Sequence, residues 1–169
     1  MKDAELEMSG FKLSVVPGLR GRGVALYIKE DLRKKYVKEI VHIDTPDVQA
    51  ILIKCSSLVI GGVYVPPSAD TTNVVSALKL ELHAKKKKCI IMGDLNFDFQ
   101  TKHKHPIRTS MTAQKYDQLI KLPTHYSGNL IDQIYKKGHF QILEWRTFPS
   151  HYSDHMSLAI LMERSELEA

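Results

Sequence analysis

At 169 residues the chain is long enough to bury a core as one domain, taken as 1–169. Its 43% hydrophobic and 25% charged residues are those of an ordinary globular protein, and no apolar run approaches the roughly 20 residues of a membrane span. The net charge of +5 and pI near 9.1 exclude an acidic protein and suit a polyanionic partner such as nucleic acid.

The opening MKDAELEMSGFK is acidic and polar, unlike a secretory signal peptide. A basic LRGRG then leads into the first predicted strand, GVALYIK (residues 23–29). VQAILIK (48–54) and SLVIGGVYV (57–65) follow closely enough to be hairpin-linked neighbours, and Pro66-Pro67 ends the second because proline cannot donate to a ladder. Thr71 or Thr72 caps a helix carrying Val75, Leu78 and Leu82 at helical spacing. That helix runs into KKKK (85–88), which reads as a solvated helix end whose cations suit the negative end of the dipole, or alternatively as a phosphate-contacting patch or nuclear signal.

KCIIMGD (88–94) is a strand buried on both faces, and the polar, His/Lys-rich stretch 97–106 is a surface loop. A short helix is predicted over 113–121, then strands NLIDQIY (129–135), HFQILEWRTF (139–148) and MSLAILM (156–162), and a frayed RSELEA tail. Cys55 and Cys89 lie in apolar stretches without metal-ligand spacing, which reads as buried free thiols of a reducing, intracellular compartment in preference to a disulfide. Strands outnumber the helices inserted between them, so the fold class is α/β and layered.

Three strand ends carry chemistry. IIMGDLN delivers Asp94 and Asn96 two residues apart, so both can share one face of an extended chain. Asp132 interrupts an apolar run, where a carboxylate needs a partner, and His155 in HYSDH is the obvious one. Carboxylates can hold Mg²⁺ or activate a water, and an imidazole kept protonated by a carboxylate can contact a phosphate, so together they suit phosphodiester hydrolysis.

The ordered set GGVYVPP, IIMGDLN, LIDQIY and YSDHMSL resembles the endonuclease/exonuclease/phosphatase superfamily, which includes abasic-site endonucleases and deoxyribonuclease I. RGRGVALYIKEDL followed by GGVYVPPS resembles most the reverse-transcriptase-associated endonuclease domains of non-LTR retrotransposons and related mobile elements. The resemblance extends from about Gly10 to Leu161. It implies a two-sheet α/β sandwich flanked by helices, the four-layer fold of deoxyribonuclease I. It also implies a DNA endonuclease using Mg²⁺, or Mn²⁺ in its place, and a nuclear workplace. Asp94 would orient and activate the water and Asn96 would hold the scissile phosphate. His155, oriented and charged by Asp132, would contact that phosphate. Tyr64 would contact it or assist the leaving group, and Asp154 would serve the metal.

The resemblance also implies two strands ahead of GVALYIK, one carrying an Asn and one a metal-binding Glu. Only residues 1–22 precede it here, with Glu5 and Glu7 as poor substitutes, and DAELEMSGFKL reads as the connection that follows that Glu. The expectation is therefore a fold lacking its first strands, completed by a missing N-terminal segment or a partner chain, with Mg²⁺ held weakly by Asp154 and waters and activity compromised by the loss of the Asn and the Glu. A non-catalytic module binding nucleic acid or protein, and a phosphate-ester hydrolase with a different substrate, are the alternatives.

Overall fold

A computed structural model describes residues 7–18, 22–82, 88–101 and 103–168, with the side chains of residues 81 and 82 left out. Glu5, most of LRGRG, the first three lysines of KKKK and Lys102 lie outside the described residues. In chain order the elements are β1 (Phe11–Val16), β2 (Val24–Lys29), α1 (Glu30–Tyr36), β3 (Glu39–Asp44), β4 (Gln49–Lys54), β5 (Leu58–Tyr64) and α2 (Thr71–Leu82). Then come β6 (Lys88–Asp94), α3 (Pro106–Ala113), β7 (Asp117–Gln118), β8 (Asp132–Lys137), β9 (Ile142–Pro149), β10 (Met156–Met162) and a 3₁₀ turn, Arg164–Leu167.

The main sheet has six strands in the order β3-β4-β5-β6-β8-β7. β5 and β6 are its parallel pair, joined through α2, and the other pairs are antiparallel. One face carries Ala50, Leu52, Val63, Cys89, Ile91 and Tyr135 against Val74 and Leu78 of α2 and Ile107 and Met111 of α3. The opposite face carries Ile60, Ile90, Met92 and Ile134 against Ile142, Leu158, Ile160 and Met162 of the β9–β10 hairpin. Further along that face Ile53 packs with Ile28 of the β1–β2 hairpin and Tyr36 of α1. The layers are thus helices, a six-stranded sheet, and a second layer of two hairpins, each its own two-stranded sheet. This is a truncated form of the α/β sandwich that the resemblance implies, with α2 and α3 outside the main sheet and the second layer split into two hairpins.

Two glycines allow the strands to close. At Gly61 a Cβ would lie 2.5 Å from Leu52 Cδ2 and 2.8 Å from Ile91 Cδ1. Gly93 has φ +148°, and a Cβ there would lie 1.8 Å from Val63 O. Only glycine lets β6 run this close to β5 and still turn Asp94 toward the sheet edge.

Several local expectations need correction. The segment read as a connection ends in strand β1, which pairs with β2 from Phe11↔Lys29 to Val16↔Val24. The third helix occupies Pro106–Ala113 rather than 113–121, because Pro106 suits the first helical turn and Ile107 and Met111 bury one face four residues apart. Lys115, at φ +64°, ends that segment, and Asp117–Gln118 pairs with β8 as a short strand. The cap of α2 is Asp70, whose Oδ1 accepts the Thr72 N–H at 2.8 Å, and its buried stripe is Val74 and Leu78. The tail is not frayed as far as Glu168. Glu166 Oε2 pairs with Lys88 Nζ at 2.6 Å, and Glu168 Oε1 accepts from Tyr36 Oη at 2.9 Å and Lys35 Nζ at 3.2 Å.

Candidate active site

The terminal residues of four strands, the first of β4 and β8 and the last of β5 and β6, form one row across the main sheet. Gln49 pairs in register with Tyr64, Tyr64 with Asp94, and Asp94 with Asp132. Register partners share a face, so these side chains stand on the side of the sheet that carries the hairpins. Asp132 opens β8 rather than interrupting it, because Leu130 and Ile131 are taken by the loop after β6: their carbonyls accept the N–H groups of Phe99 at 2.9 Å and Leu95 at 3.0 Å.

Asp94 is half-buried, and Asn96 holds it. The Asn96 backbone N–H donates to Asp94 Oδ1, and its Nδ2 to Oδ2, both at 2.9 Å. Nδ2 also donates to Val65 O at 2.9 Å, so the amide donors of Asn96 orient Asp94 against the end of β5. Asn96 sits at φ +49°, a left-handed conformation that Asn tolerates better than most residues. Burial pushes the Asp94 carboxyl above its ordinary range, the Asn96 bonds oppose that, and the neighbouring Asp132 charge reinforces it.

Asp132 Oδ2 lies 2.9 Å from His155 Nδ1. Burial disfavours charge on His155, but the bond to Asp132 and the negative charges of Asp132, Asp94 and Asp154 outweigh it, so its pKa is raised. The imidazolium is thus favoured beside a carboxylate that fixes its orientation. Tyr64 is half-buried at the end of β5, beside Asp94 in the row. Asp94, Asn96, Asp132, His155 and Tyr64, the residues expected from the sequence, come together at one edge of the fold.

Two residues not expected from the sequence complete the arrangement. Thr124 is fully buried, and its Oγ1 accepts the Ile131 and Asp132 N–H groups at 3.1 and 2.9 Å, fixing the start of β8. His125 Nε2 lies 3.0 Å from Asp154 Oδ2, and its ring meets that of His155 edge-on, with centroids 4.8 Å apart. The His125 hydrogen bond holds the exposed Asp154 carboxyl below its ordinary value. The available signal was PTHYSGN itself, a turn with His directly after Thr, close ahead of Asp132.

Two ligand clusters fit a divalent cation: Asp94 with Asp132 and His155, and His125 with Asp154 and His155, the ligand atoms of each lying within 4.8 Å of one another. Hard cations such as Mg²⁺ take one or two carboxylates and keep several waters. The donors on Asp94 and the bond from His155 occupy oxygens of the first cluster's carboxylates, whereas the Asp154 side chain is 66% exposed. Neither cluster contains a glutamate, and Glu7 is exposed at the start of the described chain.

The fold is that of solved endonuclease/exonuclease/phosphatase structures. The endonuclease domain of TRAS1, a telomere-specific non-LTR retrotransposon, matches with a TM-score of 0.65 at 14% identity, over 92% of this chain and 79% of that one. A Leptotrichia buccalis protein of the endonuclease/exonuclease/phosphatase family matches with a TM-score of 0.61 at 13% identity, over 95% and 74%. A Bacteroides thetaiotaomicron mannosyl-6-phosphatase matches with a TM-score of 0.59 at 14% identity, over 90% and 78%. No protein-family model and no curated protein sequence matches the chain. No described helix is long and apolar enough to cross a membrane.

Proposed function

We propose that the chain is a divalent-metal-dependent phosphodiesterase acting on DNA, with Asp94, Asp132 and His155 as its working core. The observation that carries this reading is the His155–Asp132 bond of 2.9 Å beside Asp94, the next residue in the row. A fold alone does not choose the substrate, since a sugar phosphatase shares it. DNA is supported by the net charge of +5 and by the retrotransposon endonuclease among the similar structures.

In this reading Asp94 takes a proton from the attacking water, whose oxygen forms the new bond to phosphorus as the ester P–O bond breaks. A raised carboxyl pKa suits a base working near neutrality. The His155 imidazolium, bonded through Nδ1 to Asp132, contacts a phosphoryl oxygen and stabilises the charge gathering there. Asn96 keeps Asp94 in place, and Tyr64 faces the same edge to contact the phosphate or the departing oxygen. A divalent cation, Mg²⁺ or Mn²⁺, held by Asp154 and water, would add charge neutralisation at the phosphate.

The test is nicking of supercoiled plasmid by the purified chain in Mg²⁺ and in EDTA, beside Asp94→Ala and His155→Ala. The expected result is Mg²⁺-dependent nicking that falls by about 10²–10⁴ in either variant. Nicking that survives both substitutions, or none from folded wild-type protein, would overturn the reading.

A further inference from the structure

We infer that His125, Asp154 and His155 form a binding site for a transition-metal dication of the zinc type, separate in chemistry from the hard cation discussed above. The three ligand atoms lie within 4.8 Å of one another. Two imidazoles and one carboxylate are a donor set that suits zinc, cobalt or nickel, whereas magnesium prefers oxygen alone.

The backbone holds the set together. His125 and His155 form an isolated antiparallel bridge, the Tyr126 N–H donates to Asp154 O at 3.0 Å, and the Met156 N–H donates to Thr124 O at 2.6 Å. The PTHYSGN turn is thereby tied to the residues just ahead of β10.

The outer nitrogen of His155 is engaged as that of a metal-bound histidine usually is, by an oxygen that fixes the tautomer. His155 Nδ1 lies 2.9 Å from Asp132 Oδ2, which leaves Nε2 for a ligand that displaces its proton to solvent. His125 Nδ1 lies 2.7 Å from Ser127 Oγ and accepts the Ser127 N–H at 3.1 Å, while Nε2 faces Asp154 at 3.0 Å. A cation replaces the single hydrogen between His125 Nε2 and Asp154. The ring proton then moves to Nδ1, which donates to Ser127 Oγ and gives up the N–H of the exposed Ser127 to solvent. The fourth position stays open to water, since the Asp154 side chain is 66% exposed. On the function proposed above, zinc here takes the His155 nitrogen that would face the phosphate, and so inhibits magnesium-supported cleavage.

The binding itself does not depend on that function, and the experiment measures binding alone. ZnCl₂ is titrated calorimetrically into the full chain in magnesium-free buffer, for wild type, His125→Ala, Asp154→Asn and a His103→Ala control outside the cluster. The expected result is one tight site, weakened at least about tenfold by each of the first two substitutions and unchanged by the control. Should circular dichroism show His125→Ala unfolded, His125→Gln takes its place. Absence of a tight site in the wild type, or zinc binding that survives the loss of either ligand, overturns the proposal.

Discussion

His155 Nδ1 and Asp132 Oδ2 stand 2.9 Å apart across 23 residues of sequence, one on the loop before β10 and the other at the first position of β8. The bond joins the hairpin layer to the main sheet at the edge where Asp94 also emerges. Its strength therefore reports on both the packing of the two layers and the chemistry of the edge.

Asp132→Asn removes the anion that most raises the His155 pKa. The imidazolium then titrates at lower pH, so the alkaline limb of the nicking profile moves to lower pH, and the acid limb, set by Asp94, moves down with it because the Asp132 charge no longer raises that carboxyl. Proton NMR titration of the His155 ring in both proteins checks the direction independently of activity.

The same shift predicts a pH-dependent stability. The folded pKa of His155 lies above the unfolded value, near 6.5. The folded chain thus holds this proton more tightly, and the stabilisation is fully present below the unfolded value and lost as pH rises through the folded one. His155→Gln is expected to lower the melting temperature more in mildly acidic than in alkaline buffer, a difference that thermal unfolding across pH measures directly.

Gly93→Ala and Gly61→Ala separate two kinds of close approach. At Gly93 the added carbon meets backbone, Val63 O at 1.8 Å, in a conformation closed to other residues, so the cost is about 2–3 kcal/mol or more. At Gly61 the contacts are the side-chain tips of Leu52 and Ile91, which can shift, and the cost is about 1–2 kcal/mol. Urea unfolding of the two variants is expected to rank Gly93→Ala as the weaker protein.

Thr124→Val keeps the shape of the buried side chain and deletes the oxygen that accepts the Ile131 and Asp132 N–H groups. About 1–3 kcal/mol of stability is expected to be lost, together with nicking activity, because Asp132 loses its backbone anchor. Thr124→Ser, which retains the oxygen, restores most of both.

Runs whose local pattern agrees with their final burial were legible from the residues alone. KCIIMGD, VQAILIK and MSLAILM are apolar enough to be recognised as strands, and all three lie in the sheets within a residue of their expected bounds. Strand β1 and helix α1 were hidden because their residues face both ways: FKLSVV and EDLRKKY mix charges and apolar groups without a clear period, and packing decides their state. Asp94, Asp132 and His155 were singled out because a carboxylate or imidazole at the end of an apolar run needs an explanation, and the fold groups them. His125 and Thr124 escaped because each looks like ordinary turn chemistry until the fold places it.

Gln49, Tyr64, Asp94 and Asp132 are aligned only because three strand pairings share one register. A slip of one residue in any of them would turn its side chain to the helix-covered face and scatter the row. During refolding, then, secondary structure and even collapse can recover before any chemistry does. The appearance of the proposed cleavage would serve as a clock for the final alignment of the sheet, timing a step that optical signals average over.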